Sequence, residues 1–167
     1  MNILFWTALA LAVFLVQTLF STVRVPLNVT VVLVALFGRA AAHHFTEREG
    51  FSGARAEFVA ACFGLCIGGI EDLMSGVLLG SAMLGKGLVA YASARIFSDV
   101  LFRWTPVLGA LTMMAFTLFD WLSLVCTRMV FGGAPVAAGP MIAAVVLQSI
   151  INGMFGMLLR PGRFRIA

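Results

Sequence analysis

The stretch Ala60-Ala-Cys-Phe-Gly-Leu-Cys-Ile-Gly-Gly-Ile-Glu-Asp-Leu-Met-Ser-Gly-Val-Leu-Leu-Gly80 sets two acids, Glu71 and Asp72, inside an apolar run. A carboxylate in hydrocarbon costs several kcal/mol unless it is protonated, paired or facing water. Such residues therefore carry function or fix helix packing. Around them runs a ladder at spacing four: Gly64, Gly68, Asp72, Gly76 and Gly80. On a helix that spacing drifts slowly around one face. Gly64, Gly68, Gly76 and Gly80 are thus expected to form a helix-packing groove with a carboxylate set into it, open to close approach by another helix.

Outward from this stretch the chain stays apolar. Hydrophobic residues make up 62% of it and charged residues 11%. A soluble domain carries about twice that charged fraction. The apolar residues come in runs of membrane-spanning length, which points to a single polytopic membrane domain over residues 1–167. No segment is polar enough for a second, soluble domain. The net charge of +4 forms no basic stripe, so membrane orientation accounts for it better than nucleic acid. Cys62, Cys66 and Cys126 form no CxxC motif and are expected to be small packing residues. The first apolar run has no Lys or Arg ahead of it and no A-x-A-like site after it, which favours a retained first span.

Six spans are expected, over residues 3–22, 25–42, 57–76, 81–101, 104–130 and 138–159, with Pro26 in the first turn of the second. Six spans put both termini on one side. Arg39, Arg48, Arg55, Arg95, Arg103, Arg160, Arg163 and Arg165 then share that side, and only Arg24, Lys86 and Arg128 fall towards the other. The asymmetry favours N-in and C-in. Asp72 then lies about 22 Å along the third span and Asp120 about 24 Å along the fifth. Glu71, Asp72, Lys86, Asp120 and Arg128 are expected to converge on the outer third of the bilayer. There they would form an ion-paired clasp, with Asp72 or Glu71 on Lys86 and Asp120 on Arg128 or a neighbouring helix. The functional alternative is a polar cavity open to the outside that receives a ligand or a partner side chain.

Catalytic motifs are sparse. Two membrane aspartates could activate water, but Asp72 lacks a Gly-x-Gly-Asp setting, and there is no P-loop, Gly-x-Ser-x-Gly or His-Glu-x-x-His. His43-His44 with Glu47 and Glu49 is a weak metal candidate on a solvated loop. Neither an enzyme, a cofactor nor a metal site is expected. Met113, Met114, Met154 and Met157 are expected in the core, and Asn152, Gly153 and Gly156 at a close helix contact.

The run from Gly64 to Tyr91 resembles the central segment of the rod shape-determining protein MreD family. In that family a glycine-rich third helix ends in an aspartate, followed by Leu-x-Ser-Gly and x-x-Leu-Gly, and in some members by a lysine and a Gly-Tyr or Ala-Tyr pair. Asp72, Ser75, Gly76, Gly80, Lys86 and Tyr91 match those positions, and Pro26 fits the start of the second span, where the family often has Pro-Asp and this chain has Pro26-Leu27. The match covers fewer than about thirty residues; elsewhere the agreement is in hydropathy. The resemblance implies an all-α integral membrane protein similar in fold to the substrate-binding subunits of energy-coupling-factor transporters. It implies a non-catalytic scaffold of the cell-wall elongation machinery in the bacterial inner membrane. MreC would be the direct partner, with RodA, the elongation penicillin-binding transpeptidase and MreB in the same assembly, membrane lipid around it and no nucleic acid. The kinship in fold leaves one alternative, a capture subunit of a vitamin-type transporter.

Overall fold

The computed structural model describes residues 2–22, 28–45, 53–75, 80–99, 105–131 and 138–158. They form six helices: α1 (Ile3–Thr22), α2 (Val29–His43), α3 (Gly53–Ser75), α4 (Ser81–Asp99), α5 (Pro106–Val130) and α6 (Ala138–Leu158). By length and composition, α1, α3 and α5 are long and apolar enough to cross a membrane. The expectation of six such spans is therefore met in helix number, and in spanning character by three. α2 and the 142–158 part of α6 are apolar but shorter. α4 is the least apolar of the six because it carries Lys86, Arg95 and Asp99. Pro26 lies outside the described residues; α2 starts at Val29 behind Asn28.

Local chemistry sets some boundaries. Pro106 stands at the start of α5, where a missing N–H breaks no helical bond. Thr105 is extended and its Oγ1 accepts from Leu108 N at 3.2 Å, a side-chain N-cap. Gly80 closes the α3–α4 turn at φ 106°, a left-handed conformation that a side chain would strain.

α4 is the centre of the bundle, packed against α2, α3 and α5, with α6 on α5 and α1 on α2. Small residues make this possible. A Cβ at Gly64 would run into the Lys86 carbonyl oxygen, and one at Gly68 into that of Ala82. These two glycines of the ladder therefore face the chain's own α4, and the groove expected to admit a partner helix is already filled there. Gly76 lies outside the described residues, and Gly80 belongs to the turn. Gly156 meets Gly109 at the α5–α6 contact in the same way. Without a hydrophobic driving force between helices, such close backbone approach is a main source of association in lipid.

The apolar core runs along α2, α3 and α4, with an aromatic cluster midway along α2 and α3. Phe37 and Phe63 stack at 3.8 Å, and Trp6 meets Phe37 edge-on at 5.0 Å. Trp6 ties α1 to this core, although most of α1 is exposed. Met113 is buried, but Met154 and Met157 lie on the exposed face of α6 instead of the expected core. Cys62, Cys66 and Cys126 are likewise exposed, because each sits on the helix side opposite the glycine contacts or the α5–α6 seam. On a helix crossing a membrane, that exposed face meets lipid.

Candidate functional site: a buried polar centre

Glu71 and Asp72 are neighbours on α3, so their side chains point about 100° apart around the helix. That angle gives them different tasks. The Asp72 carboxylate turns towards the start of α4. Its Oδ2 accepts from Gly80 N at 2.8 Å and Met83 N at 3.1 Å. Its Oδ1 accepts from Ala82 N at 2.9 Å and the Ser81 hydroxyl at 3.0 Å. The first N–H groups of a helix have no partner inside it, and the helix dipole favours negative charge there. Asp72 thus caps α4 from a different helix. It is buried and spends both oxygens on this work.

Glu71 turns to Lys86. The Lys86 ammonium lies 2.8 Å from Glu71 Oε2 and 3.5 Å from Asp120 Oδ2, and its side chain is 1% exposed. The clasp thus forms through Glu71; the alternative partner, Asp72, is committed to the α4 cap. Asp120 reaches the same ammonium from α5. Arg128 is eight residues further on, about 12 Å along the helix. It is half-buried, and among the described residues it has no ion-pair partner; of the two partners expected for Asp120, Arg128 or a neighbouring helix, it is the neighbouring α4 that supplies one, Lys86.

Uncharged groups complete the centre. Gln17 Nε2 donates to Glu71 Oε1 at 3.2 Å. The Thr30 hydroxyl lies 3.1 Å from Glu71 Oε2 and 2.8 Å from Asn28 Oδ1, and its single proton serves one of them. Asn28 Nδ2 donates to Asp120 Oδ2 at 2.8 Å. Asn152 Nδ2 lies 2.9 Å from Thr117 Oγ1 and 3.2 Å from the Asn28 carbonyl. Each of the six helices, with Asn28 at the head of α2, therefore contributes at least one polar group. Gln17, Asn28, Thr30 and Thr117 escaped the sequence reading. Their only signal is a lone polar residue in an apolar run, a pattern shared by many residues that merely back-bond to their own helix, as Thr112 does to Leu108.

A third ion pair, Arg95–Glu57 at 2.9 Å, joins α4 to α3 at the opposite end of these helices. Its arginine is largely exposed, which makes it a weak contributor. His43 and His44 close α2, while Glu47 and Glu49 lie outside the described residues. Among the described residues, no three His, Cys, Asp or Glu side chains stand together as metal ligands. No family model, curated protein or solved structure matches the chain.

Proposed function

We propose that the chain is a non-catalytic scaffold of the bacterial cell-wall elongation machinery, a protein of the MreD type that docks MreC in the inner membrane. The observation that carries this reading is where the resembling residues fall. Asp72, Gly80 and Lys86 are the cap, the turn and the central cation of the α3–α4 hairpin. A motif spent on holding two helices together suits a scaffold. It does not suit an enzyme, because Asp72 accepts four hydrogen bonds and has no oxygen left to activate water. The proposal includes the N-in, C-in orientation and a fold like that of energy-coupling-factor substrate subunits. RodA, the elongation transpeptidase and MreB belong to the same assembly at one remove.

Since α4 fills the Gly64–Gly68 face, MreC must dock elsewhere. The exposed side of α1, with Leu11, Leu15 and Leu19, is an apolar face on the least buried of the three spanning helices. The test is affinity capture of the tagged chain from mildly solubilised membranes, followed by mass spectrometry. Recovery of MreC, weakened by Leu11→Trp and Leu15→Trp, is the expected result. Recovery of an ATP-driven transport module without MreC would replace the scaffold by a capture subunit.

A further inference from the structure

Among the described residues, the polar centre does not balance its charge. Lys86 supplies one positive charge, and Glu71 and Asp120 supply two negative ones. Asp72 is answered separately by the start of α4. From the surrounding helices, α1 offers Gln17, α2 offers Asn28 and Thr30, and α6 offers Asn152, all uncharged. Arg128 is about two turns away along α5. Among the described residues one negative charge is therefore left over, in a setting that strongly disfavours an unbalanced charge.

The hydrogen bonds locate it. Glu71 has a donor on each oxygen, Gln17 on Oε1 and Lys86 on Oε2. Asp120 does not. Its Oδ2 meets Asn28 and Lys86, but its Oδ1 is buried with no hydrogen-bond partner, and the whole residue is 6% exposed. Oδ1 rests against Gly85, where an added Cβ would lie 2.5 Å from it. Glycine at 85 therefore keeps a side chain off this donor-less carboxylate oxygen. Two more buried oxygens, Gln17 Oε1 and Asn152 Oδ1, also lack donors. Their amide nitrogens are already spent on acceptors, which fixes these oxygens as acceptors. Among the described residues the centre is thus short of one positive charge, and three of its acceptor oxygens have no donor, while the buried Trp121 Nε1 and Ser149 Oγ do not reach them.

We propose that this centre binds one monovalent cation at Asp120, either a proton on Oδ1 or a sodium ion held by side-chain oxygens. The bound ion makes the buried centre neutral and fills the acceptor left open beside Gly85. This goes beyond the scaffold reading and does not depend on it.

The test uses the full chain in lipid nanodiscs. Thermal unfolding is followed against pH, and against sodium replaced by choline at constant ionic strength. The midpoint is expected to rise with one of the two ions and to saturate as a single site does. A response to pH alone identifies the proton; a response to sodium, with binding of about one radioactive sodium per chain, identifies the metal ion. Asp120→Asn and Glu71→Gln each remove the surplus charge, so each should fold and abolish the response, while Glu57→Gln should leave it. The proposal is overturned by a wild-type midpoint that follows neither ion, by a response surviving in Asp120→Asn, or by failure of both neutralising variants to fold.

Discussion

The ammonium of Lys86 stands 2.8 Å from Glu71 Oε2, fully buried, while Asp72 next along the chain takes no part in that pair. One carboxylate neutralises a charge and its neighbour completes a helix. The two acids of a single dipeptide therefore have separable energetics.

Removing Lys86 should be the most damaging change in the centre. Lys86→Met leaves Glu71 and Asp120 facing one another without a cation, and breaking a buried pair costs roughly 3–5 kcal/mol. A double-mutant cycle in detergent should show strong coupling of Lys86 to Glu71 and weak coupling of Lys86 to Asp72. Equal coupling to both acids would contradict the division of roles.

Asp72→Ala should act locally. It strips four acceptor contacts from the start of α4, and loss of a helix cap costs about 1–2 kcal/mol. Hydrogen exchange should accelerate at Ala82 and Met83 and stay unchanged at Val89 and Ala90. Uniform acceleration along α4 would mean that the cap holds the whole bundle.

Adjacent glycines should respond in opposite ways. Gly68→Leu drives a side chain into the Ala82 carbonyl of α4, a backbone atom that cannot rotate aside. Overpacking costs about 1–3 kcal/mol even where side chains alone must move, so this variant should lose its folded yield. Gly69→Leu meets only the tip of Met83 at 3.9 Å and should fold normally. Size-exclusion profiles after purification give the comparison.

Orientation is open to chemical labelling. On a cysteine-free background, single cysteines within 132–138 should react with an impermeant maleimide from outside, and those within 46–52 should not. The reverse pattern would invert the proposed topology. The native Cys62, Cys66 and Cys126, exposed on helix surfaces, should react with a lipid-soluble maleimide and resist a charged one.

The number and placement of the helices were legible in the sequence because apolar runs of spanning length carry their own signal. α1 begins and ends at Ile3 and Thr22, as expected, and the other boundaries moved by at most four residues. Convergence of Glu71, Lys86 and Asp120 was also legible, since charges of both signs at matching depth in an apolar chain must find one another. Which acid takes the lysine was not. That depends on how α3 is rotated relative to α4, and the rotation is set by Gly64 and Gly68 pressing on α4 backbone. The same packing turned an expected partner groove into an internal seam, because a small-residue face looks identical in sequence whether the helix it admits is foreign or its own. Gln17, Asn28, Thr30 and Thr117 joined the centre through contacts spanning 35 to 92 residues for Asn28–Asp120, Thr30–Glu71, Gln17–Glu71 and Thr117–Asn152. No local pattern encodes such contacts; only the folded bundle brings these polar groups within hydrogen-bonding distance.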